Sequence, residues 1–464
     1  MKFNSLKNLN LTKNVIMKKL LTVLFLFSVS FGFGESRLAE NSRIAPEIEQ
    51  TFNIEEATLD YLNTLTDEQK ESSDAYFEGG YWLLLWGLLI DIFIAWLFLA
   101  KGLSQRIKNF ASKVSSKVNL QNLVYLACYM VVSYVLVYPW NVYTSFFREH
   151  QYDLSNQTFL EWMGDELKGL LLFVLFGGTL FMCLYIAIRK VGRTWWVWGS
   201  GITFIFLVLV MFIAPVFISP LFNDYKPLEG GPVKESILTM ARANGVPVDN
   251  VYMFDASRQS DRISANVSGI GGTIRISLND NLLNKSSEGE IKAVMGHELG
   301  HYVLNHVYEG LIMFSLVFLV GFAFVNWAFG KVLNTWGQNW CISGLSDVAG
   351  FPLIMVLLSV FFVLAEPATN SIIRTNETEA DIFGLNAAKE PDGFASAAMK
   401  LSTYRKISPG YFERLLFYDH PSGYDRVLMS MTWKAENLVK EEILKQDQTL
   451  TIDPEPSLDT PDSE

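Results

Sequence analysis

Ile291-Lys-Ala-Val-Met-Gly-His-Glu-Leu-Gly-His-Tyr-Val-Leu-Asn-His306 is the stretch around which this chain is organised. It contains His297, Glu298 and His301 in the spacing H-E-x-x-H, and on a helix imidazoles four residues apart stand on one face, where both reach one zinc ion. Glu298 stands next to the metal without needing to bind it. Its carboxylate is therefore free to take a proton from a water that the metal activates for attack on a peptide carbonyl. Ser287 and Glu290 make a capping box just ahead of the run, and Ala293, Val294 and Leu299 suit a buried helix. The chain has five histidines, His150, His297, His301, His306 and His420, and three of them fall within ten residues, which disfavours the plain alternative of chance histidines on a buried helix. His306, nine residues after His297 and about half a turn round a continued helix, is expected at the surface or behind a ligand, and not on the metal.

Half of the 464 residues are apolar, 14% are aromatic and only 18% charged, the balance of a membrane protein. The net charge of −11 excludes a nucleic-acid-binding signature, and much of it is local: Glu35 to Glu78 carries twelve acidic and three basic residues. Cys128, Cys183 and Cys341 are far apart, form no C-x-x-C and are read as packing residues.

The predicted fold class is an all-α polytopic membrane protein with a small α+β zinc-metalloprotease domain. Residues 1–34, with Lys18-Lys19 ahead of the apolar Leu20–Phe33, read as a signal peptide or first membrane helix. Residues 35–79 form an acidic polar segment. The N-terminal membrane domain, 80–219, holds four spans, Tyr81–Ala100, Leu123–Val142, Leu170–Ile188 and Trp195–Ile218. Asp91, in the middle of the first, is expected to face an interior or wet cavity or to pair with a neighbouring helix. Residues 220–308 read as the soluble part of the catalytic domain, with a helix near Val233–Ala243, strands at Val251–Phe254 and Thr273–Leu278, and the H-E-x-x-H helix. In the second strand Ile274, Ile276 and Leu278 predict one buried face, and Gly269-Ile270-Gly271-Gly272 predicts the turn before it. Residues 309–365 give two further spans, Leu311–Phe329 and Val348–Ala365; 366–440 the C-terminal part of the catalytic domain; and 441–464 an acidic disordered tail.

A catalytic zinc site needs a third protein ligand and an open position. Asn376-Glu-Thr-Glu-Ala-Asp-Ile-Phe-Gly384 supplies it: Glu377 and Asp381 share a helix face, with Glu379 roughly opposite. Glu377 is the predicted ligand, and Asp381 the acceptor for the free ring N–H of a ligating histidine. One Zn2+ per chain is expected.

From about Tyr81 to Met429 the sequence resembles the integral-membrane zinc metalloproteases of the CAAX prenyl protease type 1 family, which are gluzincins. The resemblance rests on Tyr138-Pro-Trp-Asn-Val-Tyr-Thr-Ser-Phe146, Ile213-Ala-Pro-Val-Phe-Ile-Ser-Pro-Leu-Phe222, Ser264-Ala-Asn-Val267, His297-Glu-Leu-Gly-His301, Glu377-x-x-Ala-Asp381, and His420-Pro421 with Arg426. It implies a helical membrane barrel around a water-filled chamber with the zinc at its rim. It also implies that His420 stabilises the oxyanion, that Arg426 supports it, and that Asn266 with its neighbour Ala265 lies along the substrate backbone. The acidic 35–79 segment and the acidic tail lie outside the recognised pattern.

The partners expected are a peptide or protein substrate, lipidated in the family's best-known case, and the lipid bilayer, with no nucleic acid. Membrane or envelope protein quality control is the alternative proteolytic task. A zinc-dependent transporter or sensor would need the ligands but has no use for Glu298. Orientation is read from charge: Lys101 to Asn119 holds five basic and no acidic residues, and Arg189, Lys190 and Arg193 crowd the turn two spans later. The positive-inside rule puts both in the cytoplasm and the catalytic site outside it, whereas the resemblance implies the cytosolic side.

Overall fold

The computed structural model describes residues 52–269 and 273–439. The expectations for the signal peptide 1–34, for residues 35–51, for Ile270 to Gly272 of the turn and for the tail 441–464 lie outside the described residues.

Helix α1, Ile54–Leu62, is capped by Asn53, and α2, Asp67–Ala100, by a capping box of Thr66 and Gln69. The first expected span thus begins well before Tyr81, inside the acidic segment. That segment is not detached from the fold either. Leu62 packs with Ala395, Met399, Val427 and Met431, and the Tyr61 hydroxyl donates to Asp392 at 2.7 Å. An acidic face toward water and one apolar edge toward the catalytic body suffice to dock it.

The basic loop after α2 contains a helix, α3, Leu103–Val114, whose Lys108 Nζ lies 2.7 Å from Asp347. Next come α4, Val118–Asn141, continuing through a wide π turn, Val142–Phe147, to Gln151; α5, Phe159–Leu172; α6, Gly178–Val191; and α7, Trp195–Ile213. Among the described residues, five runs are long and apolar enough to cross a membrane: Asp67–Ala100, Val118–Gln151, Phe159–Leu221, His306–Trp336 and Val348–Ala388. The third holds two of the six expected spans. Gly192, in the left-handed region at φ 59°, turns the chain at Gly192–Thr194, and α6 and α7 pack on each other. Phe98, Tyr125, Tyr129, Tyr185, Trp195 and Phe351 form the core of this helical body. Asp91 meets both of its expectations: it accepts a hydrogen bond from Ser359 at 2.7 Å and lines an interhelical cavity of about 520 Å3.

The catalytic body is built on a four-stranded sheet in the order β1-β2-β4-β3, with β1 Tyr225–Pro227, β2 Val251–Phe254, β3 Ala265–Ser268 and β4 Arg275–Asn279. β2 and β4 are parallel; the outer pairings are antiparallel. Because β4 is central and covered on both sides, Ser277 is as buried as Ile276 and Leu278, so the expected single buried face is corrected to two. Among the described residues β3 pairs with β4 alone and leaves an open edge. Helix α8, Pro232–Ala243, covers the sheet through Ile237 and Leu238, and short α9, Asp280–Lys285, leads into α10, Glu288–Val303, whose Ile291, Met295 and Leu299 complete that core.

Helix α11, His306–Trp336, returns through the membrane body, and α12, Phe351–Ala388, comes back as one continuous helix of 38 residues. No helix break marks the expected division at 365: Pro367 removes one hydrogen bond, but packing against α10 carries the helix on. Helices α13, Pro391–Leu401, and α15, Gly423–Lys434, close the catalytic body around α1 and α10, while α14, Tyr411–Phe417, packs on α12.

Candidate metal centre

The capping box forms as the sequence predicts: Ser287 N–H donates to Glu290 at 2.6 Å, and Ser287 Oγ accepts from Glu290 N–H at 3.3 Å. Glu290 is buried and also takes hydrogen bonds from Ser396 at 2.6 Å and Lys400 at 2.8 Å. Burial pushes its carboxyl up, but these donors outweigh it and hold it below the usual carboxylate range. The start of α10 is thereby fixed to α13.

Glycines set the distance between α10 and α12. A Cβ at Gly296 would stand 2.9 Å from the Gly384 carbonyl oxygen, one at Gly300 3.2 Å from Ala380, and one at Gly384 2.7 Å from the His297 nitrogen. Only without side chains there can the backbones approach this closely, which brings the Glu377 face of α12 against His297 and His301. Gly384 closes the stretch quoted for the third ligand, and Gly296 and Gly300 interleave with H-E-x-x-H as G-x-x-x-G, a signal present in the sequence but not used there.

His297 Nε2 and His301 Nε2 lie 3.0 Å apart, and the two Glu377 oxygens lie 3.4 Å from one ring nitrogen each. Four-coordinate zinc with bonds of ~2.0–2.1 Å requires donor separations of roughly 3.3 Å, so the set fits such an ion. Proton placement agrees. Asp381 Oδ1 is 2.7 Å from His297 Nδ1 and can only accept, so Nδ1 carries a proton and Nε2 is the ring atom that would hold a metal. Glu379 Oε2 is 3.2 Å from His306 Nε2, which therefore carries a proton; neutral His306 then accepts at Nδ1 from His301 Nδ1–H across 3.0 Å. His301 Nε2 is likewise the ring atom that would hold a metal.

His306 is buried, which resolves its two expectations in favour of the place behind a ligand. Asn305, in the left-handed conformation at φ 63°, ends α10 and folds His306 back under His301. Glu379, expected on the far side of its helix from Glu377, does face away from the donor set, yet it anchors this chain of rings.

Arg426 donates from Nε to Asp381 at 2.9 Å and from Nη2 to Glu377 at 3.0 Å. Its guanidinium thus reaches the two α12 carboxylates, so its support of the site runs through them. His420 lies with Nε2 3.2 Å from Glu377 and Nδ1 2.7 Å from Asp419. Glu298 lines the same cavity, of about 200 Å3, along with Ala265, Val294, Phe394, Tyr404 and Arg405. Burial raises the Glu298 carboxyl above its ordinary range, against the pull of the His297 and His301 rings. Ala265 is on the cavity wall, whereas Asn266, the next residue of open-edged β3, is outside its lining.

Two family sequence patterns match the chain: the CAAX prenyl protease N-terminal region, described as five membrane helices, over residues 52–224, and peptidase family M48 over 227–430. The first begins within the acidic segment, so from residue 52 that segment belongs to the family pattern. CAAX prenyl protease 1 of Saccharomyces cerevisiae is 30% identical over 325 residues, 66% of this chain and 71% of the relative. An uncharacterised metalloprotease of Bacillus subtilis, YhfN, is 28% identical over 357 residues, 76% of this chain and 84% of the relative. The crystal structure of S. mikatae Ste24p shares the fold with a TM-score of 0.68 at 22% identity, covering 90% of this chain and 98% of that one.

Proposed function

The chain belongs to the CAAX prenyl protease 1 family of integral-membrane M48 metalloproteases, and on that premise we propose that it hydrolyses peptide bonds with zinc held by His297, His301 and Glu377. The convergence of His297, His301 and Glu377 beside the carboxylate of Glu298 carries this reading. A zinc ion at that position would supply Lewis acidity and bring the pKa of water toward neutrality. Glu298 takes the proton of the attacking water and passes it to the leaving nitrogen; its burial suits it to that exchange. His420, held at Nδ1 by Asp419, donates from Nε2 to the oxyanion as the carbonyl becomes tetrahedral. Asp381 fixes the His297 ring, and Arg426 fixes Asp381 and Glu377 together. The substrate runs along the open edge of β3 at Ala265 and Asn266, adding a strand to the sheet.

The substrate proposed is the C-terminal segment of a protein, carrying an isoprenyl group as the relatives' names imply. Loop charge favours a second reading. With Arg106, Lys108 and Lys113 on α3 and Arg189, Lys190 and Arg193 at the next turn of the same side, the catalytic body faces away from the cytoplasm, where membrane and envelope proteins are the available substrates. The purified enzyme should be given one peptide in farnesylated and plain forms, and a misfolded membrane protein. Selective cleavage of the farnesylated peptide supports the first reading, selective cleavage of the misfolded protein the second, and cleavage of none contradicts both.

A further inference from the structure

A cavity of about 510 Å3, separate from the metal centre, opens between α2, α4 and the turn that follows α4. Its walls are aromatic: Trp82 and Trp86 from α2, Trp140 and Tyr143 from the end of α4 and its π turn, and Tyr152. Arg148 lines it while being only 8% exposed. The Tyr76 backbone carbonyl accepts from its guanidinium, which stands 4.0 and 5.6 Å from the ring centroids of Tyr76 and Tyr152. No carboxylate among the described residues forms an ion pair with it; its neighbour Glu149 is taken by Tyr76 at 2.7 Å and Arg262 at 2.8 Å. Gly79 makes the room, since a Cβ there would come within 3.2 Å of the guanidinium. An unpaired, nearly buried cation is costly, and an anion in the cavity would complete it.

The level of the cavity identifies the anion's source. Trp82 and Trp86 begin the apolar part of α2, and Trp140 and Tyr143 end that of α4, so both sets mark the height where hydrocarbon meets headgroups. Trp82 and Trp86 are 65% and 53% exposed, apolar surface that acyl chains cover. The π turn Val142–Phe147 brings Tyr143 and Arg148 to this wall. We propose that the cavity binds the headgroup phosphate of an anionic phospholipid, with Arg148 as the cation and the tryptophans around the upper chains. The lipid stands close to the catalytic pocket: Arg262, bonded to Glu149, lies 4.9 Å over the ring of Tyr404, which lines the metal cavity. The site does not depend on which substrate the enzyme cuts.

The test takes the full-length chain in neutral detergent micelles and adds dibrominated phosphatidylglycerol or dibrominated phosphatidylcholine, reading tryptophan quenching. The parent should quench at roughly fivefold lower phosphatidylglycerol than phosphatidylcholine, the effect of about one interfacial charge. R148Q should lose that preference and R148K keep it. Equal quenching by the two lipids in the parent overturns the proposal whatever the variants do, as does an unchanged preference in a folded R148Q. Displacement of the lipid by inorganic phosphate at equal concentration would mark a free-phosphate site and overturn the lipid assignment.

Discussion

His301 and His306 share a hydrogen bond between their Nδ1 atoms, 3.0 Å apart, although a helix break separates them. The ring of His306 thereby fixes the tautomer of His301, and Glu379 fixes that of His306. His306→Ala should weaken zinc binding by about 10–100-fold, the usual cost of losing a ligand's orienting partner. Glu379→Ala, which the helix face alone would make silent, should lose a smaller but measurable part. Competition with a chromophoric chelator measures both, and a His306→Ala affinity equal to the parent's would rule out the orienting role.

Gly384→Ala places a methyl group 2.7 Å from the His297 backbone nitrogen, and neither helix backbone can yield without opening the donor set. The cost should be about 1–3 kcal/mol of stability, with zinc lost in the same step. Gly201→Ala, where an added Cβ meets nothing within 4 Å, is the control and should be nearly neutral. Thermal unfolding and metal content of the two variants test this; equal behaviour would mean that the glycine contact does not set the site.

What the sequence made legible was local. H-E-x-x-H, the capping box at Ser287 and Glu290, and the shared face of Glu377 and Asp381 each depend on spacing along one helix, and each appears where expected. His306 takes one of its two expected places, behind His301, but reaches it by a helix break at left-handed Asn305 that becomes evident only from the fold. Arg426 and Glu379 gain their contacts from elements far apart in the chain, which no periodicity encodes. Ser277 is buried because β4 is covered on both faces, a fact of packing, not of composition. Helix α1 has the composition of a polar segment and still docks through one apolar edge.

Glu290 predicts an acid-sensitive link between α10 and α13. Its folded pKa is depressed, so its contribution to stability is fully present above the unfolded value, about 4.3, and is lost as pH falls through the lower folded one. Glu290→Gln should therefore lower the unfolding temperature at neutral pH and flatten its decline below about pH 4.3. Parallel pH profiles for parent and variant would show that the capping carboxylate is not the titrating link.

The most direct test of the central claim separates metal binding from turnover in Glu298→Gln. The amide keeps the size and polarity of the side chain but cannot take a proton from water. Zinc per chain by elemental analysis and cleavage of a peptide substrate are measured on the same preparation. One zinc per chain with cleavage lost is the predicted result; cleavage within about tenfold of the parent would contradict the assignment of Glu298 as the base.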